Sequence, residues 1–270
     1  MNGLPGRGRA AVLALVVGTI TATAVAIIDR RLVTAARVPA ANLQGLALPE
    51  PVRPAFTPAQ PRRLDLSQST AAWAPVRREV AAYSRPAAGS PVVGTIATKT
   101  PEGTDNLVLV LGRQTDATGR LWVKVRIPAL PDNATAWVDR SALGGYTVLE
   151  THLEIDLDRL IVTLYRAGRP VFEAPAGIGK PAWPTPRGHF YIRNKLTDFA
   201  SPAYGPVAFG TSARSRVLTD WPGGGFIGIH GTDEPQLLPG HVSHGCVRLR
   251  NRDIVRLGKL MPIGTPVTIR

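Results

Sequence analysis

The chain is short of cysteine, with one residue of this type, Cys246, among 270. A single cysteine excludes a disulfide within the chain, so the thiol is either an inert buried group or a free reactive one. For a lone cysteine the default is an inert core residue, because cysteine is among the most buried residue types. The residues around Cys246 therefore have to decide between the two interpretations.

Acidic side chains are also scarce, with 19 Asp and Glu against 32 Lys and Arg, and the formal net charge is +13. Basic residues outnumber acidic ones by 8 to 2 in residues 1–64, by 9 to 7 in residues 65–147 and by 15 to 10 in residues 148–270. A basic surface attracts nucleic acid, anionic lipid or an anionic cell wall, although an Arg-rich source proteome would produce the same charge. The sequence contains no motif typical of RNA- or DNA-binding proteins, so we expect no nucleic-acid partner.

Long uncharged runs are limited to "AAVLALVVGTITATAVAII", the 19 residues Ala10–Ile28. This length is close to the roughly 20 residues that a helix needs to cross a bilayer. Arg7 and Arg9 precede the run, as they would in a membrane anchor or a signal peptide. The length favours an uncleaved anchor, and a lipoprotein anchor is excluded because no cysteine follows. We therefore expect residues 1–30 to be an anchor or signal segment, with the rest of the chain exported.

The region after this segment divides into a linker and a strand-rich part. Residues 31–68 include six prolines between positions 37 and 63 without helical or strand periodicity, which predicts a semi-extended tether. Residues 69–147 contain the strand-length runs "SPVVGTIAT", "NLVLVLG", "RLWVKVRI" and "ATAWVDRSAL", separated by turn residues. This pattern predicts a small β-barrel, and the order of the runs resembles bacterial SH3-like modules, which often accompany cell-wall enzymes.

Residues 148–270 form the second predicted domain. "THLEIDLDRLIVTLYRAGRPVFEAPAGIGKP" predicts two strands joined by "RAGRP", and "RGHFYIRNK", "GGGFIGIHG", "HGCVRLRN" and "TPVTIR" predict further strands. "RDIVRLGKLMPIG" predicts a helix, which Asn251 can cap. Its apolar residues share one face: Ile254, Val255, Leu257, Leu260 and Met261. The predicted fold is thus mostly β with one helix.

The single cysteine lies in "IHGTDEPQLLPGHVSHGCVRL", residues 229–249, which also holds three of the five histidines. A nucleophilic cysteine needs a base or a field that favours its thiolate. His244 is two residues before Cys246 and would share its side of a strand, whereas His230 ends the apolar strand "FIGI" and could lie alongside. Gly245 allows a close approach of substrate to the backbone, whose N–H groups near Gly245 and Cys246 could bind an oxyanion. The pattern favours an acyl-transfer site.

A zinc site is the alternative chemistry for this stretch. His230, His241, His244 and Cys246 are residue types that can bind zinc. We expect no metal, however, because His241 lies in the Pro- and Gly-containing loop "PQLLPGHV", where a solvated histidine is common.

The stretch "IHGTDEPQLLPGHVSHGCVRLRNRDI" resembles the active-site signature of the L,D-transpeptidases of YkuD type, which is a His-Gly, a loop, and then Ser/Thr-His-Gly-Cys. The similarity extends upstream through "LEIDLDRLIVTLYRAGRPVFEAPAGIGKPAWPTPRGHFYI" and covers about 120 residues in all. The resemblance implies a β-sandwich-like catalytic domain without a cofactor, preceded here by the SH3-like barrel and the transmembrane helix. It also implies that the cysteine attacks a peptidoglycan stem peptide, releases D-alanine and passes the thioacyl group to the amine of a neighbouring stem, which gives 3-3 cross-links.

The resemblance also implies roles for individual residues. Cys246 corresponds to the nucleophile, His230 to its base, and Gly231 to the residue whose carbonyl fixes the histidine tautomer. The residues implied to frame the site and supply the oxyanion hole are Ser243, His244, Gly245 and Cys246. Arg248 is implied to bind a stem carboxylate, since a guanidinium can hold a carboxylate through two hydrogen bonds. The aromatic residues that either line the donor cleft or serve as packing are Trp183, Tyr204 and Trp221.

Two alternatives remain open at this point. A hydrolase, such as an L,D-carboxypeptidase, would use the same thioacyl intermediate with water as the acceptor. A non-catalytic protein would instead dock on the cell wall through the SH3-like domain, with a silent catalytic domain. Carbapenem β-lactams are the expected inhibitors of the enzymatic forms.

Overall fold

The structure, a computed structural model, describes residues 70–197, 201–219 and 224–270, all of which belong to the compact unit Thr57–Arg270. The predicted anchor (1–30) and linker (31–68) lie outside these residues and stay predictions. Within the described ranges, no helix has both the length and the apolar character needed to cross a bilayer.

The first part of the described chain forms a seven-stranded sheet of antiparallel pairs, in the order β3-β2-β6-β5-β4-β1-β7. Its strands are β1 Ala71–Pro75, β2 Val80–Tyr83, β3 Val92–Ile96, β4 Leu107–Thr115, β5 Leu121–Arg126, β6 Thr135–Asp139 and β7 Thr147–Leu149. Alternating valines supply much of its core, as expected for β-branched residues on a half-buried strand: Val108, Val110, Val123, Val125 and Val138. The four predicted strand runs fall in β3, β4, β5 and β6, while their SH3-like character stays a prediction.

The rest of the chain forms a ten-stranded sheet in the order β10-β9-β8-β17-β12-β13-β14-β16-β11-β15. Its strands are β8 Thr151–Asp156, β9 Ile161–Arg166, β10 Arg169–Pro175, β11 Gly177–Gly179, β12 Gly188–Leu196, β13 Ala208–Arg214, β14 Phe226–His230, β15 Gly240–Ser243, β16 Val247–Arg248 and β17 Pro266–Ile269. The described residues contain one α-helix, α1, at Asn251–Leu260. The prediction of a mostly β fold with one helix is therefore confirmed.

Helix α1 packs on the second sheet through the predicted apolar face. Ile254 and Leu257 are fully buried and Met261 nearly so, while Val255 and Leu260 are partly buried against the same core. Burying a Leu or Ile side chain contributes roughly 1.5–3 kcal/mol relative to leaving it exposed, so this face accounts for the position of the helix. The same core contains Ile229 of β14 and Val247 of β16, so the helix packs with the two strands next to the candidate site.

Three local predictions for this domain are wrong. The segment predicted as two strands forms four, β8, β9, β10 and β11. The first division arises because Asp156 accepts the N–H groups of Asp158 and Arg159 and turns the chain without Gly or Pro. The strand predicted in "HGCVRLRN" shrinks to β16, and β13 and β15 were not predicted. Asn251 does not cap α1: Arg250 is the N-cap residue, and the Asn251 carboxamide oxygen accepts the N–H of Thr232 instead, 2.9 Å away.

Buried polar groups hold the two sheets together. The Arg193 side chain, 2% exposed, donates to the Glu102 carboxylate at 2.8 Å, and Asn194 donates to the other Glu102 oxygen at 3.0 Å. Burial opposes the charge on Glu102, but Arg193 and nearby hydrogen bonds outweigh it and lower the pKa of this carboxyl group. The Tyr191 hydroxyl adds a bond to the Leu107 carbonyl. These three residues all belong to β12, so this strand of the second sheet is hydrogen-bonded to the first domain.

Candidate active site

Two parallel strands bring the predicted nucleophile and base together. In the pairing of β14 with β16, Ile229 is opposite Val247 and His230 is opposite Arg248, and Cys246 directly precedes β16. The Cys246 Sγ accepts the N–H of Gly228 at 3.3 Å. A methyl group placed on Gly228 would lie 3.7 Å from Cys246 Sγ and 3.7 Å from His230 Cδ2. The thiol and the imidazole therefore both lie against Gly228.

The His230 imidazole is held in its neutral form. Its side chain is buried, 3% exposed, and its Nδ1 lies 2.6 Å from the Gly231 carbonyl oxygen. Since a carbonyl oxygen can only accept, Nδ1 carries the proton and Nε2 is the acceptor nitrogen. Burial, helped by the charge of Arg248 and opposed by the bond to Gly231, lowers the pKa of His230 to about 4. The imidazole is therefore uncharged at neutral pH.

Cys246 also rests in its neutral form. Burial raises the pKa of the Cys246 thiol, although the Gly228 N–H and the positive Arg248 both favour the thiolate. A neutral thiol beside a neutral imidazole can react if the proton moves to Nε2 as the sulfur attacks. The geometry thus supports a general-base mechanism instead of a thiolate that is formed in advance.

The chain between β15 and β16 differs from the prediction at His244. The expected strand is interrupted by a bend at His244 and Gly245, and Gly245 has a φ of +117° that other residues rarely adopt. The argument that His244 and Cys246 share one side of a strand is therefore wrong. The two side chains nonetheless line the same cavity, and the His244 ring lies 4.4 Å from the ring of Trp183.

Two hydroxyl groups brace this bend. Ser243 Oγ donates to the Cys246 carbonyl at 2.6 Å and accepts the Gly245 N–H at 3.0 Å. Thr185 Oγ1 donates to the Gly245 carbonyl at 2.8 Å and accepts the Gly179 N–H at 2.9 Å. Of the two predicted oxyanion donors, the Gly245 N–H is thus occupied by Ser243. Thr185 was not predicted as a site residue, although it lies in the "PTPRG" segment that contributed to the family resemblance.

Arg248 lies at the edge of the site. It lines the cavity next to His230, and its Nη1 donates to the Glu234 carboxylate at 3.1 Å. Its side chain is 18% exposed, and within the described residues its buried Nε has no hydrogen-bond partner. Glu234 was not predicted as part of the site, because nothing in its local sequence distinguishes it from a solvated loop carboxylate.

The cavity that contains these groups has a volume of 310 Å³. Its lining is Ala203, Tyr204, Ser215, Leu218, Gly225, Phe226, Ile227, His230, Ser243, His244, Cys246 and Arg248. The Tyr204 ring lies 4.6 Å from the His230 ring, whereas Trp183 packs on His244 outside the lining. Trp221 lies outside the described residues.

The zinc alternative has no geometric support in the described part of the chain. His241 is exposed on β15, and its Nδ1 lies 3.3 Å from the Gly179 carbonyl oxygen. Across residues 70–197, 201–219 and 224–270, no three His, Cys, Asp or Glu side chains are grouped so that they could hold a metal ion.

Comparison with known proteins places this site in a family. The sequence profile of the YkuD L,D-transpeptidase catalytic domain matches residues 150–269. The L,D-transpeptidase YkuD of Bacillus subtilis is 32% identical over 143 residues, which is 53% of this chain and 72% of that protein. The Bacillus licheniformis protein of the same name is 33% identical over 117 residues, or 43% of this chain and 64% of that protein.

Solved structures give matches of the same kind. The catalytic domain of the E. faecium L,D-transpeptidase, determined by NMR, is 28% identical, with 44% of this chain and 96% of that one covered and a TM-score of 0.35. The chain spans about half the length of two longer solved L,D-transpeptidases, 48% and 49%. Given the profile match and the coverage of the Bacillus subtilis protein, the chain belongs to the L,D-transpeptidase family of enzymes.

Proposed function

We propose that this protein is a cysteine L,D-transpeptidase that acts on peptidoglycan stem peptides through a thioacyl-enzyme and forms 3-3 cross-links. The observation that carries the proposal is the pairing of Cys246 with a tautomerically fixed His230 in one cavity. The Nδ1 proton is committed to the Gly231 carbonyl, so Nε2 is the nitrogen that can take the thiol proton. Family membership supports the same reaction class.

In the first half-reaction, the Cys246 thiol gives its proton to His230 Nε2 while the sulfur attacks the carbonyl of the third stem residue. The resulting oxyanion is bound by backbone N–H groups, of which the Cys246 N–H is the proposed donor. The tetrahedral species collapses with cleavage of the C–N bond, and the imidazolium returns its proton to the departing amine of D-alanine. A thioester between Cys246 and the donor stem remains.

In the second half-reaction, the side-chain amine of a neighbouring stem attacks the thioester carbonyl. The amine loses its proton to His230, the C–S bond breaks, and the sulfur leaves as a thiol after recovering that proton. The new amide bond is the cross-link. Water is the alternative acceptor, and attack by water instead of the amine would make the enzyme a hydrolase.

Charge supports the assignment of the substrate. Arg248 is a cation at the cavity wall. Its Nη1 donates to the Glu234 carboxylate, and the guanidinium has other N–H groups that can bind a second carboxylate. A stem peptide with a free carboxylate is therefore a suitable donor substrate. The net charge of +13 favours association with an anionic cell wall. We further propose that the protein is exported and held by its N-terminal apolar segment so that it faces the wall.

The proposal is tested by acylation and by product analysis. Incubation with a carbapenem should raise the intact protein mass by one drug adduct, and a Cys246→Ala variant of equal thermal stability should show none. Incubation with muropeptides should give cross-linked dimers, identified by mass spectrometry. Trimmed monomers in place of dimers would assign the hydrolase instead. Binding to cell walls with neither an adduct nor a changed muropeptide would overturn the enzymatic proposal.

A further inference from the structure

A buried hydroxyl outside the cavity is tied to the backbone of the nucleophile. Thr185 lies in the connection between β11 and β12 and is 5% exposed. Its Oγ1 accepts the Gly179 N–H at 2.9 Å and donates to the Gly245 carbonyl at 2.8 Å. Thr185 does not line the catalytic cavity, whereas Cys246 does. The hydroxyl therefore holds the nucleophile loop from behind.

The bond to the Gly245 carbonyl fixes more than that oxygen. This carbonyl belongs to the peptide unit whose nitrogen is that of Cys246. A peptide unit is planar and, outside Xaa-Pro, almost always trans, so its C=O and N–H point in opposite directions. Because Thr185 draws the oxygen away from the cavity, the Cys246 N–H is directed to the other side of the loop.

Gly245 makes this restraint necessary. Its φ of +117° lies in a region open mainly to glycine, and glycine is the residue with the greatest freedom to let a neighbouring peptide unit rotate. Ser243 fixes the Gly245 N–H and the Cys246 carbonyl on either side. The orientation of the peptide unit between these two anchors therefore depends on the bond from the Thr185 hydroxyl.

We propose that Thr185 is a positioning residue for the transpeptidase reaction, whose hydroxyl orients the Cys246 N–H as an oxyanion donor. The inference rests on the proposed function, because an oxyanion forms only when the thiol attacks a carbonyl. The proposed role should affect one reaction of the Cys246 sulfur and leave another unchanged. Acylation by a β-lactam develops an oxyanion and needs the donor, whereas alkylation by iodoacetamide displaces iodide at carbon and develops none.

The test compares these two rates in a Thr185→Val variant, which keeps the shape of the side chain and removes its hydroxyl. Loss of an oxyanion-hole donor typically costs about 10²–10³-fold in rate, and a misdirected donor retains part of its effect, so carbapenem acylation should fall roughly 10- to 100-fold. Alkylation by iodoacetamide should stay within about twofold of the wild type over the same pH range, since the base and the thiol are unchanged. Thr185→Ser retains the hydroxyl and should restore most of the acylation rate.

Thr265→Val is the matched control. Thr265, which directly precedes β17, is also buried and does not line the cavity. Its hydroxyl lies 2.8 Å from both the Pro262 carbonyl oxygen and the Thr151 hydroxyl. Removing it should lower thermal stability without changing the ratio of acylation to alkylation. If Thr185→Val does not fold, Thr185→Ala is measured in its place.

The possible failures are distinguishable. A wild-type protein that iodoacetamide labels and a carbapenem does not would reject the proposed function itself. A wild type that is acylated, together with a Thr185→Val variant of unchanged ratio, would reject the positioning role alone. An equal fall in both rates that follows thermal stability would make Thr185 a structural residue and would also overturn the inference.

Discussion

Protonation of His230 should destabilise the folded protein, and replacing this histidine should remove that sensitivity to acid. The imidazole is 3% exposed, and burial, aided by Arg248, lowers its pKa from 6.5 to about 4. In the unfolded chain the same ring is solvated and binds its proton near pH 6.5. Between these two values the unfolded state carries a proton that the folded state does not.

The size and sign of the effect follow from this difference. Each pKa unit is worth about 1.4 kcal/mol, so a fall from 6.5 to about 4 corresponds to about 3 kcal/mol. Stability increases with pH wherever the unfolded state binds more protons. The free energy of unfolding should therefore lose up to about 3 kcal/mol on account of His230 as pH falls from about 6.5 to about 4. Above pH 6.5 this loss is absent, and below pH 4 it grows no further.

The measurement is urea unfolding of the wild type and of a His230→Asn variant at half-unit steps from pH 7.5 to pH 4. The Asn carboxamide N–H can replace Nδ1–H as the donor to the Gly231 carbonyl but does not titrate, which makes it the closest neutral substitute. Other groups that titrate in this range, including His152 with its own lowered pKa, contribute to both proteins and cancel in the difference. Between pH 6.5 and pH 4, the free energy of unfolding should fall more steeply for the wild type than for the variant.

Parallel curves for the two proteins would refute the reasoning. That result would mean that His230 takes up its proton near pH 6.5 in both states, so that burial does not lower its pKa in the folded protein. A wild type that gains stability relative to the variant as pH falls would go further: the folded protein would favour the imidazolium, and the general-base mechanism inferred from two neutral partners would have to be abandoned.

Three further predictions concern the same site and its attachment. Alkylation of Cys246 by iodoacetamide should accelerate steadily above pH 8 because burial raises the pKa of the thiol, and a rate plateau between pH 5 and pH 7 would contradict this. His230→Ala should reduce carbapenem acylation by at least about a hundredfold, His244→Ala by less, and His241→Ala hardly at all; equal losses in all three, with loss of a bound zinc, would favour the metal site. A chain beginning at Leu64 should stay in solution without detergent and be acylated as fast as the full chain, and a requirement for detergent would show that the domain boundary is misplaced.

The candidate site could be located from the sequence because its residues are concentrated in one segment, although their catalytic roles stay predictions. His230 and Cys246 are unusual residue types in this chain and lie within 17 positions of each other. The general content of strands and the one helix followed from hydrophobic periodicity. What the local pattern could not supply was the parallel pairing of β14 with β16, which is a non-local contact and which sets the direction of both side chains.

The supporting residues escaped prediction for the same physical reason. Thr185 acts on Gly245 from 60 positions away, and a threonine in a proline-containing loop has no local feature that indicates a buried bond. Asn251 was predicted to cap its own helix, yet its carboxamide binds Thr232 across the site. In each case the short polar side chain can satisfy either a local or a distant backbone group, and tertiary packing decides which.

The glycines of the signature now have a geometric explanation that links the base to the helix. A Cβ on Gly231 or on Gly205 would overlap the Asn251 carboxamide oxygen, so these two glycines let the start of α1 approach the end of β14. Asn251 then binds the N–H of Thr232, which follows Gly231 directly, and thereby restrains the carbonyl that holds His230 Nδ1–H. The base is thus oriented through a backbone carbonyl that a distant carboxamide restrains, as the Cys246 peptide unit is oriented through a carbonyl that a distant hydroxyl restrains. Gly231 leaves the space that Asn251 occupies, and Gly245 adopts a φ of +117° that other residues rarely adopt. The glycines of His-Gly and His-Gly-Cys therefore belong to the proposed chemistry of this site even though glycine contributes no reactive atom.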